Sequence, residues 1–202
     1  MAQPSRLRLF IALDLPAEWR EALAREARAL ESAVPGFGRW VDPALMHVTL
    51  AFLGGKDAGL LAIIQRVVGQ TASASRPFEL RLTAPGSFGG RRALRVVWIG
   101  VEDQPRGSLH SLHAAVTTQL ESAGITYDAG PFRAHITLGR ARRDATADQA
   151  EAMYRAIARR TADGKAPAVA PMHGDELTLV RSDLRPTGPI YTPLHRARLS
   201  GT

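Results

Sequence analysis

The chain has 202 residues, 45% hydrophobic and 22% charged, which suits one large soluble domain or two small lobes with a real core. It has no cysteine, which excludes disulfides, thiolate metal sites and cysteine nucleophiles and fits a reducing cytoplasm. Its net charge of +7 attracts polyanions, nucleic acid first among them; because Lys56 and Lys165 are the only lysines, the arginine excess also fits a GC-rich coding sequence.

RLRLFIALDL (6–15) mixes leucine, aromatic and β-branched residues and predicts a strand. Its apolar run is short and meets Asp14 and Pro16, so it does not read as a secretory signal. The next segment begins at Pro16 and spaces Trp19, Leu23, Ala27 and Leu30 as one helical face. PGFGRWVDP (35–43) reads as a loop. MHVTLAFLG (46–54) predicts a strand, DAGLLAIIQRVVGQTAS a helix, FELRLTAPGSF (78–88) a strand and turn, and GGRR (89–92) a basic turn.

The order then recurs. LRVVWIGV (94–101) predicts a strand, followed by a helix with Leu109, Leu112, Val116 and Leu120 on one side and a stop at Gly124. FRAHITLGR (132–140) predicts a strand and DATADQAEAMYRAIARRTADG a helix. ELTLVRSDL (176–184) and PIYTPLHRARL (189–199) close the chain as strands. No apolar run reaches the roughly 18–20 residues of a membrane span.

Arg6 lies 41 residues before His47, and Arg95 lies 40 before His135. A repeat of about ninety residues is too long for a solenoid and predicts two similar lobes, over about 6–88 and 94–199. No low-complexity linker separates them, so residues 1–202 are expected to form a single bilobal domain, with terminal elements free to exchange between lobes.

Each half carries one H-x-T-L tetrad, HVTL at 47–50 and HITL at 135–138. Alternation in a strand puts His47 and Thr49 on one face and Val48, Leu50 and Phe52 on the other; His135 and Thr137 share a face likewise, with Ile136 and Leu138 behind. If the two strands face one cleft, two imidazoles and two hydroxyls converge there. That set suits phosphodiester chemistry without a metal. One neutral imidazole takes a proton from the attacking oxygen, and one protonated imidazole gives a proton to the departing oxygen. The hydroxyls and a nearby arginine donate to the non-bridging oxygens. A single tetrad is an ordinary strand sequence; two, at matching places in a repeat, are not.

The chain resembles the RNA 2′,3′-cyclic phosphodiesterases, also called 2′-5′ RNA ligases, of the two-histidine phosphoesterase superfamily. The matching stretches are RLFIALDLP, HVTLAFLG, RVVWIGV, PFRAHITLGR and LTLVRSDLRPTGPIYTPL, in order from residue 6 to about 194. The resemblance implies an α+β fold of two pseudo-symmetric lobes, each with an antiparallel sheet and helices, around an active-site cleft. It implies hydrolysis of a terminal 2′,3′-cyclic phosphate to a 2′-phosphate, with His47 as proton donor, His135 as proton acceptor, and Thr49, Thr137 and Arg140 on the phosphate. It also implies a reverse reaction, joining a cyclic end to a 5′-hydroxyl through a 2′-5′ bond. No metal or other cofactor is expected. The expected partner is an RNA with a 2′,3′-cyclic phosphate end, tRNA fragments included; no membrane and no obligate protein partner is expected, and the expected compartment is the cytoplasm. The residue before the second tetrad is Ala134, where these relatives often have proline. Strict alternation also places Arg140 on the face opposite His135, so it reaches a phosphate only where the strand ends or twists at Gly139.

Other motifs carry less. His110 and His113 stand i, i+3 on a predicted helix but lack a third ligand, so they read as a solvated face; His173 and His195 stand alone. GGK (54–56) fails as a phosphate loop, with Leu50 at the first glycine position and Asp57 after the lysine, and GFG (36–38) lacks the third glycine of a dinucleotide fingerprint. The turns at 89–92 and 140–143 read equally as RNA-backbone contacts or solvated arginines, and Trp40 and Phe132 as base-stacking or packing aromatics. Two other functions remain open: a catalytically idle RNA-binding protein, and the same chemistry on another small cyclic phosphate.

Overall fold

Strands and helices alternate twice along the chain, as the repeat predicts. The computed structural model describes residues 6–164 and 166–202. The strands are β1 (Arg6–Asp14), β2 (Gly38–Trp40), β3 (His47–Asp57), β4 (Phe78–Gly90), β5 (Ala93–Gln104), β6 (His135–Ala141), β7 (Met172–Gly174), β8 (Glu176–Arg185) and β9 (Gly188–Arg198). The helices are α1 (Ala17–Ala33), α2 (Leu61–Ala74), α3 (Ser108–Ser122) and α4 (Ala147–Ala162).

The local causes are the usual ones. In α1, Pro16 sits at the N-cap, where its missing N–H costs nothing, and Trp19, Leu23, Ala27 and Leu30 are all buried. Helix α3 buries Leu109, Leu112, Val116 and Leu120, and the chain leaves it through Gly124 at φ +69°. Helix α4 starts with a capping box between Thr146 and Gln149. Two expectations change. The segment 35–43 is not all loop, since it contains β2 and runs at Pro43 into a 3-10 turn, Pro43–Leu45. The basic turn at 89–92 is shorter than expected, because β4 runs to Gly90 and β5 starts at Ala93, leaving Arg91 and Arg92 as a hairpin tip.

The strand order is β7-β4-β5-β6-β3-β1-β8-β9, with β2 also on β6, and every pairing is antiparallel. The first lobe holds β3, β1, β8 and β9; the second holds β6, β5, β4, β7 and β2. They join where β3 meets β6 through one register pair, Val48 opposite Ile136. Terminal elements are exchanged: β4 pairs with β5 of the second half, and β8 pairs with β1 of the first. Helices cross over too, with α2 and α3 packed on the first lobe and α1 and α4 on the second. They cover one face, where Leu9, Ile11, Leu13, Val48, Leu50, Val97, Ile99, Ile136 and Leu138 form the core. That leaves the other face free for chemistry. Among the described residues, no helix is long and apolar enough to cross a membrane.

Candidate active site

The single β3–β6 register pair sets the site. With Val48 opposite Ile136 on the core face, antiparallel alternation puts His47 across from Thr137 and Thr49 across from His135. All four side chains then share the open face at the seam between lobes. Each tetrad also ends in a bulge at its leucine. Ile11 pairs with Ala51 and Ala12 with Thr49, leaving Leu50 unmatched; Val97 pairs with Gly139 and Trp98 with Thr137, leaving Leu138 unmatched. Both leucines are buried in the core.

The bulges correct two expectations. After Leu138 the alternation is reset, and Arg140, opposite Val96, returns to the face of His135 and Thr137. No strand ending is needed. After Leu50 the same reset brings Phe52 to the face of His47 instead of the core, opposite Phe10. There the Arg8 guanidinium lies 4.6 Å from the Phe52 ring centre.

The two imidazoles are held alike. His47 Nδ1–H donates to the Leu45 carbonyl at 2.8 Å and His135 Nδ1–H to the Arg133 carbonyl at 2.6 Å. A carbonyl only accepts, so Nδ1 carries hydrogen and Nε2 is left for substrate in both rings. Aromatic rings brace each one. Phe10 stacks on His47 at 4.6 Å and Tyr191 meets its edge at 5.6 Å; Phe88 meets His135 at 4.9 Å.

Burial lowers both histidines below the ordinary 6.5. Their charged neighbours differ. Asp14, paired with His47 across β1 and β3, pulls His47 upward, while the His135 charge pushes it down. His135 has Arg140 beside it, which pushes it further down. The charges beside the two rings thus act in opposite senses, Asp14 toward the protonated form of His47 and Arg140 toward the neutral form of His135, on top of the burial that lowers both. Asp14 is itself fixed by the Thr178 hydroxyl at 3.1 Å and by Arg196 at 2.9 Å.

Sequence reasoning missed several residues on this face: Arg8, Phe10, Phe88, Trp98 and Tyr191. Burial raises the Tyr191 phenol above its ordinary 10, against the opposing pull of Arg140 and Arg8, so it remains a hydroxyl donor. Arg8 and Phe10 lie within RLFIALDLP, and Tyr191 within GPIYTPL, but nothing in either stretch says which strands lie beside it. Trp98 rests on the bare Cα of Gly86, where an added Cβ would stand 2.2 Å from the indole. Gly86→Ala is expected to cost about 1–3 kcal/mol in a denaturant titration. Turnover should fall as well, because Trp98 packs against Phe88, which abuts His135.

Other candidates go elsewhere. His113 Nδ1–H donates to the carbonyl of the bulged Leu50 at 2.8 Å, and its ring stacks on Phe132 at 4.1 Å, so it secures a bulge and is not solvated as expected. His110 meets the same Phe132 edge-on at 5.2 Å. Trp40 packs on Gly139 from the core side. His195 lies beside Gly69 of α2, and His173 sits on β7. Among the described residues, no cluster of three or more His, Asp or Glu is placed to hold a metal ion.

A sequence model described as the 2′-5′ RNA ligase superfamily matches residues 15–186, both tetrads included. The chain belongs to the 2′-5′ RNA ligase superfamily. Two relatives are each named RNA 2′,3′-cyclic phosphodiesterase. That from Methanothermobacter thermautotrophicus is 31% identical over 194 residues, covering 96% of this chain and 100% of the relative. That from Geobacillus stearothermophilus is 36% identical over 135 residues, covering 67% of this chain; the matched part spans only 42% of that longer protein. Among solved structures, apo Escherichia coli LigT matches with a TM-score of 0.72 at 31% identity, covering 96% of this chain and 98% of LigT. The α+β two-histidine phosphoesterase fold expected from the superfamily resemblance is the fold found.

Proposed function

We propose that the protein hydrolyses RNA 2′,3′-cyclic phosphate ends to 2′-phosphates by metal-independent acid–base catalysis, with His47 as the acid and His135 as the base. The observation that carries this is the Val48–Ile136 register with its two leucine bulges, which sets both imidazoles, both threonines and Arg140 on one face. The names of the relatives support the substrate class.

In this mechanism a water lies on the His135 side and gives its proton to Nε2 as it attacks phosphorus. The P–O3′ bond breaks on the far side, and His47 Nε2 delivers its proton to O3′. The product is a 2′-phosphate with a free 3′-hydroxyl. Thr49, Thr137 and Arg140 hold the non-bridging oxygens, where charge builds up. The assignment follows the superfamily resemblance, and the charges of Asp14 beside His47 and Arg140 beside His135 act in its sense. The terminal ribose then lies on the His47 side, where a cavity of about 190 Å³ opens between Phe10, Arg20, Tyr191 and Arg196. The continuous strand path through the described residues supports one bilobal domain, and the absence of cysteine supports a cytoplasmic compartment.

The test is turnover of a 2′,3′-cyclic-phosphate oligonucleotide in EDTA with the product identified. A 2′-phosphate is expected; a 3′-phosphate, or activity only with added metal, contradicts the proposal. The pH profile should be bell-shaped. Activity is lost as pH falls through the His135 pKa, because the base becomes protonated. It is lost as pH rises through the His47 pKa, because the acid is emptied. Since burial lowers both, the optimum should lie on the acid side of that for free imidazoles. Asp14→Asn removes the upward pull on His47 and should move the alkaline limb to lower pH. Movement of the acid limb instead would make His47 the more acidic of the two rings, against the protonation states proposed here.

A further inference from the structure

We infer that a basic groove on the His135 side binds the RNA strand carrying the 5′-hydroxyl in 2′-5′ ligation; this rests on the roles proposed above for His47 and His135. The groove, about 850 Å³, begins at Phe88 and Arg140 and runs between the tip of the β4–β5 hairpin and the segment leading into α4. Phe88 abuts His135 and Arg140 acts on its charge, so the groove opens from the nucleophile's side of phosphorus.

Five arginines line it: Arg92, Arg95, Arg140, Arg142 and Arg143. Arg92 is engaged by Asp148 and Glu151, and Arg142 by Asp144. Arg95, Arg140 and Arg143 are exposed and have no ion pair among the described residues. Hydrolysis uses Arg140 on the cyclic phosphate but gives Arg95 and Arg143 nothing to do there, because its nucleophile is a single water. A 5′-hydroxyl strand is different. Its attacking oxygen must sit where the water does, and its own phosphates must continue away from that point. A groove with unpaired guanidiniums meets that need.

The step balances. O5′ bonds to phosphorus as its proton passes to His135 Nε2, while the P–O3′ bond breaks and O3′ takes the proton of His47. One cyclic end and one 5′-hydroxyl give one 2′-5′ diester and one 3′-hydroxyl, and nothing else is consumed.

Arg95→Glu/Arg143→Glu separates the two activities, since neither residue contacts the cyclic phosphate in the proposed mechanism. Ligation of a cyclic-phosphate oligonucleotide to a 5′-hydroxyl oligonucleotide should fall about tenfold or more. The salt dependence of its kcat/KM for the acceptor strand should flatten by roughly 0.7 per lost phosphate contact. Hydrolysis of the cyclic end should stay within about twofold, which also reports an intact fold. Unchanged ligation, equal loss of both activities, or a wild-type protein that hydrolyses without ligating would each overturn the groove assignment. A wild-type protein that does not hydrolyse at all would overturn the underlying mechanism instead.

Discussion

His47→Ala and His135→Ala are each expected to lower kcat on a 2′,3′-cyclic-phosphate oligonucleotide by about 10²–10⁴-fold, the range for losing a positioned general acid or base. Binding should survive. Thr49, Thr137, Arg140 and the aromatic braces remain on the face, and each imidazole is held by a backbone carbonyl that takes no part in holding its neighbours. The double variant should be little worse than either single one, because the two rings serve one proton-transfer event from opposite sides. Steady-state kinetics paired with fluorescence anisotropy on the same oligonucleotide checks this. Loss of binding together with turnover would make the histidines recognition groups and favour an idle RNA-binding protein. Full turnover in either single variant would remove that ring from the chemistry.

Arg140→Gln is expected to lower kcat by about 10²-fold, comparable to removing one preorganised donor from an oxyanion site. It should also move the acid limb of the pH profile to higher pH, because Arg140 is one of the groups holding His135 low. Arg140→Lys keeps the charge but not the two-pronged donor, so it should hold the limb in place while recovering only part of the rate. A change in rate with no change in the limb would place Arg140 on the phosphate but away from His135.

Much of this was legible in the chain. The helices could be read because Trp19, Leu23, Ala27 and Leu30, and then Leu109, Leu112, Val116 and Leu120, recur at the helical period and are buried. The two tetrads could be paired because the repeat places them alike, and i, i+2 spacing puts each threonine beside its histidine. Alternation failed at the next step. Arg140 was expected on the wrong face and Phe52 in the core, because each tetrad's leucine is an extra residue in its strand. A bulge is a property of two strands in register, so one strand's residues do not reveal it. His113 was misread for the same reason, since its partner is a carbonyl freed by the bulge at Leu50. Phe10 meets His47 because β1 pairs with β3, and Tyr191 does so only because β8 and β9 from the chain's end complete that lobe. The short strands β2 and β7, three residues each, are too brief for any period to register.

Co-crystallisation with a nucleoside 2′-phosphate, the proposed product, tests the central claim most directly. One phosphate should bridge the seam between β3 and β6, with His47 Nε2 and His135 Nε2 each within about 3.2 Å of a different oxygen and the ribose 3′-hydroxyl on the His47 side. A phosphate held by one imidazole alone, or bound away from both, would contradict it.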